Sequence, residues 1–393
     1  MNTLPVISPD QARDHIRRII RSEDLSVKAC ALYGPPGVAK TWSARAAAND
    51  EEVESFVIPG QSLDPTDPKG LQNLLTGEFS RAGIWRRLVD PGGPLAVILD
   101  DFPAALPAVQ TALHLPLCER MLSDGSRVSD LVTWIITGNL RKHRGGTFGV
   151  LDTVTSRMSA SFYVRPVVET DASSERGWIT HASERGLRVE CIAHIRMYPD
   201  HLSLACYRES MESAKAGKSE ADKFPPPPEG MSEASPRTWE HVSSLLDLYL
   251  PRDTDMGTRA ASLRESAPLL HAAIFSQLGA VAPAFEATLH SASKGILPRI
   301  ILANPESAPM PPDPMAAYVT CSALIQHANG KTADAITTYI VRMRESGNDA
   351  FAMFLWTGCV RWAPKKMEFV TSEAFRKSAL SGHPLAGWLS SVQ

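Results

Sequence analysis

Ala29-Cys30-Ala31-Leu32-Tyr33-Gly34-Pro35-Pro36-Gly37-Val38-Ala39-Lys40-Thr41 is the stretch that decides how the rest of the chain is read. Its first part, entered from Lys28, is a short apolar run, the pattern of a strand buried in a parallel sheet. The run stops at a glycine and two prolines, and the alanine-rich Thr41 to Asn49 then reads as a helix. A strand, a glycine loop and a helix opening on Lys-Thr make a phosphate cradle. Backbone N–H groups wrap the anion, and the helix N-terminus adds a favourable dipole. In that geometry Lys40 reaches the β- and γ-phosphates of ATP, and the Thr41 hydroxyl ligates Mg²⁺. Gly34, Pro35, Pro36, Gly37, Val38, Ala39, Lys40 and Thr41, with the adjoining Trp42, form the candidate nucleotide-binding set. The strict pattern has glycine where Ala39 stands. Alanine is expected to fit with a negative φ as the helix begins.

Sixty residues beyond Lys40, the apolar run Leu95 to Leu99 ends in Asp100-Asp101. Asp100 is placed to hold the water shell of Mg²⁺, a task for a hard oxygen ligand, and Asp101 to polarise an attacking water. Apolar residues recur at helical spacing from Leu106 to Met121, and Val132 to Ile136 reads as another buried strand. This alternation predicts an α/β domain over residues 1–166, with a central parallel sheet flanked by helices. Helices dominate from Glu169: Glu175 to Arg185, Cys191 to His194, and again from Arg237, with Val242, Leu245, Leu246 and Tyr249 on one face. Residues 167–290 are therefore expected to be all-α, interrupted near 214–234 by a charged and proline-rich loop. Residues 291–393 are a helical C-terminal region. There the stripe Ile336, Tyr339, Ile340 and Met343 reads as core-facing.

Other chemistries are not encoded. The six cysteines form no CxxC pair, and the eleven histidines form neither HExxH nor a Cys/His cluster. There is no GxSxG elbow. A net charge of -3 supplies no overall attraction to nucleic acid or acidic membranes. No signal-peptide core is found and no apolar run reads as long enough to span a bilayer, so a cytoplasmic location is expected.

Taken together, these motifs resemble the MoxR branch of the AAA+ ATPases. The likeness rests on Gly34 to Thr41, on Asp64-Pro65-Thr66-Asp67-Pro68-Lys69-Gly70, and on Leu99-Asp100-Asp101 followed by Pro107 to Leu113 and Glu119-Arg120. Three further positions follow from the resemblance. Asn139, in Thr137-Gly138-Asn139, looks like sensor 1 and would orient the lytic water or touch the γ-phosphate. Arg157, in Thr155-Ser156-Arg157-Met158, stands where the family has a finger pointing into the neighbouring subunit. Arg237, in Ser235-Pro236-Arg237-Thr238-Trp239, looks like sensor 2. Read alone, either arginine is a surface ion pair, and Asn139 a strand-end cap; the order and spacing of the motifs favour function.

The resemblance implies an AAA+ core followed by an all-α lid, working as a homo-oligomeric ring, most simply a hexamer. It also implies a remodelling role on a partner with a von Willebrand factor A domain. A nucleic-acid motor of phage or mobile-element type, or an ATP-binding scaffold that hydrolyses little, are the alternatives. The basic cluster Arg141-Lys142-His143-Arg144 suits a subunit interface better than a nucleic-acid track, and Arg120 and Arg144 are lesser candidates for trans contacts. Where the family has Glu, this chain has Asp101, one methylene shorter. That shortfall predicts slow, assembly-dependent hydrolysis with ATP binding intact. Leu151 to Thr155, before Arg157, also departs from the family's acidic-Leu pattern.

Overall fold

The computed structural model describes residues 4–378 apart from 69, 73–74, 77–78, 81–82, 141–147, 169–176, 214–225, 251–262, 264–266 and 362. The chain divides between Val167 and Val168 into two compact units. The basic cluster Arg141 to Arg144, Lys69 and most of the charged loop near 214–234 lie outside the described residues.

The first unit alternates strand and helix. Its strands are β1 (Val6–Ile7), β2 (Ala29–Tyr33), β3 (Glu54–Pro59), a small hairpin of β4 (Leu71–Gln72) and β5 (Phe79–Ser80), β6 (Leu95–Asp100), β7 (Val132–Gly138) and β8 (Ala160–Val164). Six of them form one parallel sheet in the order β1-β8-β2-β7-β6-β3. Every residue of β2 and β7 is buried, as a sheet covered on both faces requires. β3 lies at the edge and alternates exposed with partly buried positions. The expected architecture, a central parallel sheet flanked by helices with a helical C-terminal region, is what the chain forms.

Two helices frame the glycine loop Gly34 to Ala39. The first, α1 (Pro9–Arg21), starts with a capping box in which Ser8 and Gln11 satisfy each other's amides. The second, α2 (Lys40–Asp50), is joined to it by charge pairs: Arg13 with Asp50, and Arg17 and Arg21 with Glu51. Further on come α3 (Ile84–Arg87), α4 (Pro107–His114) and α5 (Asp152–Thr155). The helix expected over Leu106 to Met121 is shorter than its apolar spacing implies. It widens into a π turn at Leu115–Glu119, where Pro116 has no N–H to continue the ladder, and ends on Arg120 at φ 50°.

The second unit is helical and contains both regions that the sequence divides into separate domains. One core gathers Trp178, Ile179, Cys191, Ile195, Trp239 and Phe285, a second gathers Ile301, Leu324, Ile336, Tyr339 and Phe369, and Ala193, Ala292 and Val319 form a small cluster of their own. The helices here include α6 (Trp178–Glu184) and α7 (Val189–Met197). Ile336, Tyr339, Ile340 and Met343 are fully buried, so their stripe is core. One stretch, Pro268–Ala292, is long and apolar enough to cross a membrane, contrary to the expectation that no run reaches that length. It breaks at Gly279 (φ 55°), and Leu270, Ile274, Leu278 and Phe285 turn into the core.

In this unit His194 is completely buried against Tyr198, Trp239 and Phe285. Its Nδ1 lies 2.7 Å from Thr288 Oγ1 and its Nε2 3.0 Å from His201 Nδ1. The Thr288 hydroxyl donates to the Ala284 carbonyl. That fixes a single consistent chain of donors: His201 to His194, His194 to Thr288, Thr288 to Ala284. A second proton on His194 would set N–H against N–H, so burial first and His201 second push its pKa down to about 3. The folded chain keeps His194 neutral while the unfolded chain binds a proton below about pH 6.5. Stability is therefore full above that pH and is lost as pH falls from there toward 3. We expect a loss of about 1–2 kcal/mol by pH 5 from this group, measured by denaturant melts. His194→Gln should flatten that acid limb; an unchanged limb would exclude His194 as its source.

Candidate functional site

The carboxyl ends of β2, β6 and β7 meet at one place, because the register sets Tyr33 beside Gly138 and Leu99 beside Ile136. In open parallel sheets this is where ligands are held. Polar side chains, excluded from the strands themselves, appear there together.

Gly34 leaves β2 so close to β8 that a Cβ on it would lie 2.7 Å from the Val164 carbonyl oxygen. Gly37 turns the loop at φ 78°. Ala39 does not follow expectation. It takes φ 68° and ψ 21°, a left-handed conformation, and the helix begins one residue later at Lys40. Closure of the loop onto its helix outweighs the roughly 1–2 kcal/mol that an L-residue with a Cβ loses there. In return the Ala39 carbonyl accepts from the amide and the hydroxyl of Ser43.

Lys40 is 7% exposed, and a buried ammonium needs partners. Its Nζ donates to the carbonyls of Gly34 (3.0 Å) and Pro35 (2.7 Å) and to Asn139 Oδ1 (3.0 Å). The Asn139 amide nitrogen in turn points at Asp101 Oδ1, at 3.4 Å. A second set lies beside this one. Asp100 Oδ1 accepts the Thr41 hydroxyl at 2.6 Å and also the hydroxyl of Thr137. Lys40, Thr41, Asp100, Asp101 and Asn139, predicted from three separate motifs, are thus brought together by direct hydrogen bonds.

Asp101 also sits left-handed, at φ 49°, opening the short turn Phe102–Ala104. That turn is wedged against β7: a Cβ on Gly138 would lie 2.1 Å from Pro103 Cδ. The chemistry of these donors fits the proposed ligands. Thr41, Thr137 and Asp100 present hard oxygens at one point, the set that Mg²⁺ prefers, and Lys40 ends in a loop of backbone amides suited to phosphate. The fold that assembles them is a parallel sheet with a glycine loop between β2 and α2.

Comparison with known proteins gives limited likeness. No family model matches the chain. Over 92 residues it is 32% identical to the replication factor C large subunit of Haloarcula marismortui, covering 23% of this chain and 17% of that protein's length. Among solved structures, a candidate ATPase from Cytophaga hutchinsonii aligns with 42% of this chain and 52% of its own, at 17% identity and a TM-score of 0.30. A point mutant of RuvB from Thermotoga maritima aligns with 93% and 88%, at 10% identity and a TM-score of 0.32.

The remaining candidates of the sequence reading are not hydrogen-bonded into this cluster by any of the bonds described above. Trp42 is 41% exposed, and Arg13 of α1 lies 5.9 Å over its ring. Arg157 follows α5 on the surface and pairs with Glu119. Arg237 lies in the second unit, exposed in the first turn of the helix Pro236–Tyr249, which Ser235 and Thr238 cap. Arg120, considered for a trans contact, is committed within its own chain: its guanidinium donates to the carbonyls of Ser129 and Val132, the latter at 2.9 Å. Two participants carry no assignment from the sequence. Thr137 is the one hydroxyl-bearing residue in the last four of an otherwise apolar strand end, Trp134-Ile135-Ile136-Thr137, a signal that could have exposed it. Gln110, fully buried, donates to Ala105 and Gly149 and accepts from the Leu151 amide, tying α4 to the segment before α5. No pattern in the chain announces that role.

The strain at Ala39 is testable. Ala39→Gly should stabilise the unliganded protein by about 0.5–1 kcal/mol in denaturant melts, the left-handed cost less the extra entropy of an unfolded glycine. Gly37→Ala, at a similar φ, should destabilise it by a like amount. Equal stabilities for all three proteins would show that the loop backbone carries no strain.

Proposed function

We propose that this chain is an ATPase that binds Mg²⁺·ATP at the ends of β2, β6 and β7 and hydrolyses it slowly. The observation that carries this reading is the hydrogen-bonded set Lys40–Asn139–Asp101 beside Thr41–Asp100–Thr137. The N–H groups of Gly37, Val38 and Ala39 would surround the β-phosphate, and Lys40 would give up carbonyl partners for β- and γ-phosphate oxygens. Thr41 and Asp100 would hold Mg²⁺, which supplies neutralisation of charge on the transferred phosphoryl group. Asp101 would accept the proton of the attacking water, and the Asn139 amide, already between Lys40 and Asp101, would orient that water. Arg157 would act in trans and Arg237 in cis on the γ-phosphate, both by family analogy.

The larger role follows the motif resemblance: a cytoplasmic MoxR-type ring, hexameric, that remodels a partner protein bearing a von Willebrand factor A domain. A nucleic-acid motor is the second reading, favoured by the 92-residue likeness to a replication factor C subunit. DNA-stimulated hydrolysis that disappears at high salt would select the second reading over the first.

Three variants test the chemistry. Lys40→Ala should abolish binding of a fluorescent ATP analogue. Asp101→Asn should retain that binding but lower phosphate release by about 10²-fold or more. Asp101→Glu should raise the rate by restoring reach. The gain will be tempered because a left-handed backbone suits Asp better than Glu. An unchanged or lower rate in Asp101→Glu would remove the short side chain as the cause of slow turnover.

A further inference from the structure

The nucleotide chemistry assigns nothing to Glu119, yet its Oε1 lies 3.2 Å from Nη1 of Arg157. The two side chains are 44% and 53% exposed. Each is carried by a backbone that is pinned elsewhere. Glu119 closes the π turn Leu115–Glu119, and its neighbour Arg120 is held left-handed with its guanidinium on the carbonyls of Ser129 and Val132. On the other side the Arg157 amide donates to the Val154 carbonyl at 3.1 Å. Two residues later Ser159 is fastened to β2, its amide 2.8 Å and its hydroxyl 2.7 Å from the Ala29 carbonyl. A π turn next to a left-handed residue is a costly local geometry, and such geometries gather where a side chain must be aimed.

We propose that Glu119 is a positioning residue that keeps Arg157 paired within its own chain until the nucleotide phosphate of a neighbouring subunit takes it over. This rests on reading Arg157 as the finger that acts in trans. An exposed carboxylate–arginine pair is weak, whereas phosphate offers a guanidinium more charge and a two-pronged contact. A buried pair would not release its arginine, and an unpaired arginine would sample many rotamers. The half-exposed pair therefore holds the finger in one place and yields it at small cost. Its removal shifts the balance between single chains and rings and leaves the nucleotide pocket of each chain as it was.

The experiment measures ATP hydrolysis against protein concentration, with sedimentation in ATP as a second readout, for the full chain. Glu119→Gln and Glu119→Ala should lower the half-activating protein concentration about two- to fivefold, the range an exposed pair can supply. At saturating protein, kcat and the KM for ATP should stay unchanged, and Glu119→Asp should restore part of the original concentration dependence. Arg157→Ala should lose turnover, and adding Glu119→Gln to it should shift assembly no further. If Arg157→Ala hydrolyses as the parent does, the finger reading itself fails. If Arg157→Ala is inactive but neither Glu119 variant shifts the concentration dependence, the reading of Arg157 stands and the role of Glu119 is overturned. A fall in kcat at saturating protein for Glu119→Gln would also overturn it, because Glu119 would then be supporting the finger at work.

Discussion

A parallel sheet covered on both faces can carry polar side chains only where its strands end, and the first unit is organised by that constraint. β2 and β7 are buried along their whole lengths, so the groups able to do chemistry are forced to the carboxyl edge of the sheet. There, Lys40, Thr41, Asp100, Thr137 and Asn139 have little choice but to satisfy one another. Buried polar groups without partners are costly, so the network both stabilises the edge and holds the side chains ready for a ligand that can replace those partners.

Strained backbone in the first unit falls at both ends of its sheet. Four non-glycine residues take a positive φ among the described residues: Ala39, Glu52, Asp101 and Arg120. Ala39 opens the glycine loop onto its helix, Asp101 carries the acidic group after β6, and Arg120 follows the turn that bears Glu119. Such conformations persist only when the surroundings over-determine them. The sheet register, the Pro103 wedge and the carbonyls that receive Arg120 provide that over-determination.

The sheet and the cluster of polar residues at its carboxyl edge were legible because local patterns encode them. A buried strand, a glycine loop with Lys-Thr and an apolar run ending in two carboxylates are short-range signals, and register brings them together without further information. What could not be read depends on contacts between distant segments. The sign of φ at Ala39 follows from loop closure, the shortened α4 from Pro116 interrupting an otherwise helical spacing, and the Gln110 bridge from its fit to Gly149 and Leu151. The apolar stretch Pro268–Ala292 shows the reverse failure: its composition is that of a membrane-crossing helix, and the break at Gly279 is needed to see that it is two helices. Arg157 is located by motif order, while its partner Glu119 emerges only from space.

The contact between Gly138 and Pro103 has a consequence of its own. A Cβ at 138 would lie only 2.1 Å from the proline ring, so where β7 ends beside Asn139 the turn following Asp101 leaves room for nothing larger than hydrogen. Nothing polar participates, yet this contact acts as a ruler for the gap between amide and carboxylate. Exchanging small groups at 103 and 138 in concert would reset that gap and leave every hydrogen-bonding residue untouched. The two positions are thereby coupled by volume alone, a dependence that no list of polar side chains would show.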